Sequence, residues 1–216
     1  MKKSIIIIDD HPIVRKGFAQ LINRETDLEV VGEAEDQISA QTIVEREKPD
    51  LALVDLTLKE SNGLELIKNF SILFPELKSL VISLHDERVY AERALRAGAR
   101  GYIMKSEATE NVMTAIRQVL QGTIYLSEDM RTRMLEHFSG KQKQQNESTP
   151  VDVLSDREFE VFRMIGEGLT TRVIADRLNL SVKTIETYRS HLKAKLNLTS
   201  STELIQRAVE WNLLER

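Results

Sequence analysis

Apolar and polar positions divide the chain into two regimes. Up to about residue 121, short apolar runs recur: "SIIIID" (4–9), "LEVVGEA" (28–34), "LALVDL" (51–56), "LKSLVIS" (77–83) and "GYIMK" (101–105). Each is too short for a buried helix and rich in Ile, Val or Leu, which predicts five strands. The segments 12–23, 37–48, 63–73, 87–97 and 107–121 carry apolar residues at helical spacing, as in Val112, Ala115, Ile116 and Val119. Strands alternating with helices predict a parallel sheet covered on both faces. The four consecutive isoleucines, Ile5 to Ile8, suit a central strand of such a sheet, which is buried on both sides and need not alternate.

After Gln121 the alternation stops. Residues 126–138 predict one more helix, capped by Ser127 with acidic residues in its first turn. "SGKQKQQNESTP", 139–150, has no large apolar residue and ends in a helix-breaking proline, so it reads as a flexible seam. From Leu154 the pattern is purely helical, over 155–168, 170–179, 181–197 and 199–214. Each of these segments opens on Ser or Thr, and the first two close near Gly168 and Asn179, residues suited to a left-handed helix end. The expected organisation is an α/β domain over 1–121, a linker over 122–151 with one helix and a polar tract, and an all-α domain over 152–216. A length of 216 residues accommodates two such domains.

Charge changes the picture only when counted by region. The net charge is −4, and residues 1–121 carry 16 Lys+Arg against 20 Asp+Glu, which does not favour nucleic acid. Residues 168–198, however, carry six basic against two acidic side chains, so the positive charge is local and late. The absence of cysteine removes disulfide and thiolate-metal chemistry and fits a reducing cytosol. "MKKSIIIID" is too short in apolar residues for a secretory core, and no stretch approaches about 18 apolar residues, so a cytoplasmic protein without a membrane span is expected.

The predicted strand ends carry the chemistry. Asp9 and Asp10 end the first strand, Asp55 the third, Ser83 the fourth and Lys105 the fifth. Ligand crevices of open α/β sheets lie outside these carboxyl ends. Three carboxylates there call for a compensating cation, and oxygen-only donors select a hard ion such as Mg²⁺. A carboxylate can also attack phosphorus to give an acyl phosphate, with Lys105 and Ser83 as charge and hydroxyl donor for the new group. Taken singly, an aspartate at a strand end equally serves as a loop or helix cap. His11, beside Pro12 at a helix start, is assigned no chemical role.

"IDDHP", "LVDL" followed by Gly63, "VIS" and "GYIMKS" resemble, in order and spacing over residues 3–121, the receiver domain of bacterial two-component response regulators. The resemblance implies a doubly wound, flavodoxin-like sheet of order 2-1-3-4-5, with Asp55 as phosphoryl acceptor from a sensor histidine kinase. It further implies Mg²⁺ held by Asp9, Asp10, Asp55 and the backbone carbonyl of Thr57, phosphate reading by Ser83 and Lys105, and Tyr102 as a switch aromatic. Thr57 and His85 stand where the family tunes hydrolysis. Lys59 departs from the family, which usually has proline there, and this puts the phosphate lifetime in question.

The second half contains "TTRVIADRLNLSVKTIETYRSHLKAKL", read as helix, tight turn and amphipathic helix, with Val182, Ile185, Leu192 and Leu196 inside. Short polar groups among cations suit a DNA major groove, although a basic helix face can also be merely solvated. Residues 152–214 closely resemble the helix-turn-helix domain of the LuxR/FixJ (NarL) class. The two resemblances together imply a response regulator that binds promoter DNA, dimerises when active and is not a dedicated enzyme, with RNA polymerase as a further candidate partner. On that basis Glu186, Thr187 and Ser190 face bases, and Lys183, Thr184, Tyr188, Arg189 and Lys193 contact the backbone or its margins. The last helix, with Leu204, Ile205, Ala208 and Trp211, is either the family's dimer contact or internal core.

Two rivals share parts of this pattern. A nucleophilic Asp with Mg²⁺ and Lys also describes haloacid-dehalogenase-type phosphatases, but Thr57 stands where their motif places a second aspartate as general acid. A regulator that binds DNA without phosphorylation keeps the second half and leaves the acid set of the first half without a purpose.

Overall fold

The computed structural model describes residues 2–58, 62–138, 151 and 153–214, so Lys59 and the polar tract 139–150 lie outside the described residues. The chain forms two compact units, Met1–Gly140 and Lys141–Arg216.

In the first unit β1 (Lys3–Ile8), β2 (Leu28–Ala34), β3 (Leu51–Val54), β4 (Lys78–Ser83) and β5 (Tyr102–Met104) form one sheet of order β2-β1-β3-β4-β5. All pairs are parallel. α1 (Pro12–Asn23), α2 (Gln37–Glu47), α3 (Gly63–Leu73), α4 (Glu87–Ala97) and α5 (Ala108–Leu120) alternate with the strands, as the periodicity predicts. Ile5 to Ile8 are all buried, because β1 is flanked by β2 and β3 and covered on both faces. Ile5 and Ile7 join Leu51, Leu53, Leu80 and Ile82 in a core closed by Ala108, Val112, Ala115, Ile116 and Val119 of α5. The alternate positions Ile6, Ile8, Ala52, Val54 and Val81 are equally buried on the other face.

Three helices start on side-chain caps at the carboxyl ends of the strands: Asp36 accepts from Ser39 N–H, Asn62 from Leu64 N–H and Asp86 from Arg88 N–H. Beyond α5 the chain returns to the sheet edge. Tyr102 N–H donates to Tyr125 O (3.0 Å) and Tyr125 N–H to Arg100 O (3.0 Å), so that Tyr125 forms a parallel bridge with Gly101. α6 (Glu128–Phe138) then starts on Ser127, whose hydroxyl accepts from Met130 N–H, with Leu126 and Met130 buried and α6 packed on α4.

The second unit consists of α7 (Asp156–Gly166), α8 (Thr171–Arg177), α9 (Val182–Lys195) and α10 (Ser201–Leu214). Ser155, Thr170 and Ser181 cap the first three of these, and Gly168, Asn179 and Asn197 take positive φ at the turns. Phe159, Phe162, Ile165, Ile174, Ile185, Leu192, Leu204 and Ala208 form the buried interior. The two readings of the last helix divide by face. Leu204 and Ala208 are internal and the Trp211 ring meets Phe159 edge-on, whereas Ile205, Val209 and Leu213 are exposed. Val182, expected inside, is 48% exposed, because the first residue of α9 projects past the bundle; Leu196 is half-buried.

Candidate functional site

Backbone pairing continues one residue beyond the strands and fixes the acidic pocket. Asp9 N–H donates to Ala34 O (3.1 Å), Asp55 N–H to Ile8 O (2.8 Å) and Lys105 N–H to Ser83 O (2.7 Å). From this frame the Lys105 ammonium lies 2.6 Å from Asp9 Oδ2 and 2.7 Å from Asp55 Oδ2, with all three side chains nearly excluded from solvent. Thr57 N–H donates to Asp55 Oδ1 (3.3 Å). The loop after Asp55 closes tightly on it: a Cβ at Gly63 would stand 2.3 Å from Asp55 O, so this position takes only glycine without displacing the Asp55 backbone.

Burial pushes the Asp55 carboxyl above the usual carboxylate range. The Lys105 hydrogen bond and charge oppose this shift incompletely, and the neighbouring Asp9 charge adds to it. Burial works against the Lys105 ammonium too, but hydrogen bonds and charge from Asp55 and Asp9 more than offset it and hold the lysine above its ordinary value. Asp10 is partly exposed; its Oδ1 atom is buried and makes no hydrogen bond among the described residues, although His11 Nδ1 approaches to 2.6 Å. His11 N–H donates to Asp9 Oδ1 (2.8 Å), which gives this histidine a place against the carboxylates. Asp9, Asp10, His11 and Asp55 bring ligand atoms within 4.8 Å of one another. Three carboxylates clustered at the strand ends form an oxygen-rich donor set that fits a hard divalent cation.

A pH dependence follows from the raised Asp55 value. Its favourable contribution to stability is fully present below the ordinary aspartate range and is lost as pH rises through the raised folded-state value. Asp55→Asn is therefore expected to stabilise the unit at pH 7 in metal-free buffer by roughly 1 kcal/mol. Thermal unfolding should show the gain shrinking as pH falls into the ordinary aspartate range, as the wild-type carboxyl takes up a proton. A variant less stable than wild type at pH 7 would contradict the assignment.

Beside the pocket, His85 links four groups. Its N–H donates to Ser83 Oγ (3.3 Å), its Nε2 lies 3.0 Å from Thr57 Oγ1, its ring stacks on Tyr90, and its carbonyl accepts from the Tyr102 hydroxyl (2.9 Å). Tyr102 is fully buried, and burial drives its phenol well above the usual range. The resemblance to receiver domains singles out His85 in the sequence, but nothing there marks Tyr90 as its stacking partner.

On α9, Lys183, Glu186, Thr187 and Ser190 are exposed, and Thr184, Tyr188, Arg189 and Lys193 half-buried. Thr187 and Ser190 donate their hydroxyl protons to the carbonyls of Lys183 and Glu186, which leaves the hydroxyl oxygens as acceptors on the exposed face. Glu186 lies 3.9 Å from Arg189. Lys195 turns instead to Glu158 on α7.

Residues 5–117 match the response regulator receiver domain, and residues 152–208 match the bacterial regulatory proteins of the luxR family. The chain belongs to the two-component response regulators with a LuxR-type DNA-binding domain, a family that regulates transcription and does not consist of dedicated enzymes. It is 37% identical to the oxygen regulatory protein NreC of Staphylococcus aureus, over 98% of this chain and 99% of that protein. Salmonella enterica serovar Typhimurium RcsB, solved bound to promoter rprA with the phosphomimetic BeF3⁻, is 27% identical over 95% of this chain and 98% of that one, with a TM-score of 0.69. A LuxR-family response regulator from Aurantimonas sp. SI85-9A1 is 32% identical over 64% of this chain and 99% of that one, with a TM-score of 0.60. Among the described residues no helix is long and apolar enough to cross a membrane.

Proposed function

We propose that phosphorylation of Asp55 by a sensor histidine kinase controls dimerisation and promoter binding by this chain. The observation that carries the reading is the Lys105 ammonium bridging buried Asp9 and Asp55, at the strand ends where α/β sheets bind ligands. An Asp55 carboxylate oxygen attacks the phosphorus of phosphohistidine; the new P–O bond forms as P–N breaks, and the electron pair leaves on the imidazole nitrogen. Asp9, Asp10, Asp55 and the Thr57 carbonyl would hold Mg²⁺, whose charge would offset the repulsion between phosphate oxygens and the carboxylates. Lys105 then pairs with the phosphoryl group, and the Ser83 hydroxyl donates to it. A shift of Ser83 pulls on the His85 N–H, and through the His85 carbonyl it reaches Tyr102.

At the output end, Glu186, Thr187 and Ser190 meet base edges, while Lys183, Thr184, Tyr188, Arg189 and Lys193 meet the backbone. The exposed stripe Ile205, Val209 and Leu213 supplies the apolar surface for a second copy, so that two recognition helices reach two half-sites. The RcsB complex with promoter DNA and BeF3⁻ supports both halves of this reading. RNA polymerase is the partner to look for once promoter DNA is bound, and the cytoplasm is the compartment where all these partners meet. Phosphorylation shifts the balance between conformers only by interacting differently with them.

The test is incubation of wild type and Asp55→Ala with acetyl phosphate and Mg²⁺, followed by intact mass and oligomer size. The expected result is a phosphate-sized mass gain and a monomer-to-dimer shift in wild type alone. No gain in wild type would turn the reading to DNA binding without phosphorylation.

A further inference from the structure

The basic side chains of α9 do not all belong to the same surface. Glu158, on the first turn of α7, is the buried carboxylate of the helical unit, with only 5% of its side chain exposed. It closes the capping box of α7, accepting from Ser155 N–H (2.8 Å) and Ser155 Oγ (2.8 Å). The same carboxylate reaches across to α9, where Lys195 Nζ stands 2.6 Å from Oε2 and His191 Nδ1 3.7 Å from Oε1. His191 and Lys195 are four residues apart and therefore share a face of α9, turned towards α7. A buried carboxylate that has lost water and is held by backbone, hydroxyl and ammonium at once fixes both elements it joins.

We propose that Glu158 is a positioning residue for DNA reading: it sets the pose of the recognition helix through Lys195, with His191 alongside, and the Lys195 ammonium, on a side chain 41% exposed, is spent on Glu158 and does not meet phosphate. The inference rests on α9 being the DNA-reading helix. It divides the positive charge of 168–198 into a DNA-facing part that includes Lys193 and a part at Lys195 that is paired with Glu158. Lys193 and Lys195 are two residues apart on a helix, so they cannot share a face.

The experiment uses full-length protein, a duplex selected by the wild type from a random library, and a scrambled duplex, each titrated over a range of salt concentrations. Lys193→Met is expected to lower the slope of log affinity against log salt by about one on the scrambled duplex, as losing one phosphate contact requires. Lys195→Met is expected to leave that slope unchanged while reducing the preference for the selected over the scrambled duplex by roughly tenfold. Lys195→Arg, which keeps the ion pair, should retain the preference. Adding Glu158→Gln to Lys195→Met should recover part of it, because the orphaned buried charge is removed. A slope loss in Lys195→Met equal to that of Lys193→Met would overturn the proposal, as would losses that simply multiply in the double variant. If wild-type protein shows no salt-dependent binding to any duplex, the DNA-reading assignment of α9 itself fails, and that outcome is distinct from the others.

Discussion

Replacing Lys105 with methionine is expected to destabilise the α/β unit by about 3 kcal/mol at pH 7, the lower end of the cost of orphaning one side of a buried ion pair. Methionine keeps the length and apolar stem, so the loss is of charge and not of packing. What remains is Asp9 and Asp55 facing each other at the strand ends, where the ammonium had been within 2.7 Å of both. The cost stays at the lower end because Asp55, already pushed up by burial, can take up a proton and leave one charge in place of two. That escape fixes the pH signature. The gap to wild type should be widest at pH 7 and above and should narrow as acidification protonates the pair, while millimolar Mg²⁺ should narrow it at neutral pH by supplying the missing counter-charge. Urea unfolding followed by the tyrosine near-UV signal, at pH 7 and near pH 5, measures it. A gap that does not change with pH would mean the lysine stabilises by its stem alone.

Much of this pocket was legible in the sequence because strand ends are marked twice: by the stop of an apolar run and by the polar residue that follows. A parallel sheet then gathers residues 9, 55, 83 and 105 at one edge with no further information. The fates of individual atoms were not legible. That Lys105 bridges Asp9 and Asp55, while Asp10 meets His11 instead, depends on the directions side chains take from a frame set by neighbouring strands. His85 stands out through the family resemblance, but its contact with Thr57 spans 28 residues of sequence and follows no local period. Tyr125 pairs with the sheet edge through a single bridge at Gly101, too short to leave an alternating pattern.

In the helical unit the caps and turns were read nearly residue by residue, because Ser, Thr, Gly and Asn act at helix ends through local backbone chemistry. Faces were harder. Periodicity placed Val182 inside, but a helix extends past the bundle it packs on, and its first residue there has nothing to cover it. Charge counting likewise places Lys195 in the basic segment 168–198 without its partner Glu158, which lies 37 residues away on another helix.

Gly166→Ala is expected to unfold or severely weaken the helical unit while leaving the α/β unit intact. Gly166 closes α7 where α10 crosses it, and an added Cβ would stand 2.3 Å from Ala208 O and 2.7 Å from Asn212 Nδ2. The Ala208 carbonyl is backbone and cannot withdraw without moving α10, and the Asn212 side chain would have to give up its donation to Arg163 O. Overpacking of this kind costs about 1–3 kcal/mol in ordinary cores and more when the obstacle is backbone, so the upper end or beyond applies here. The displaced helix carries Trp211, whose ring centroid lies 5.1 Å from Phe159 and 6.1 Å from Phe162. Trp211 is the only tryptophan of the chain, so its fluorescence reports this unit alone. The denaturation midpoint by fluorescence should fall sharply and DNA affinity should fall with it, because α10 also packs on α9. Phosphate uptake from acetyl phosphate should persist. Gly17→Ala is the control: nothing lies within 4 Å of its Cβ on α1, and alanine there should be neutral or stabilising by about 0.5–1 kcal/mol. A Gly166→Ala protein with a wild-type fluorescence midpoint would mean that α7 and α10 are not held at this contact.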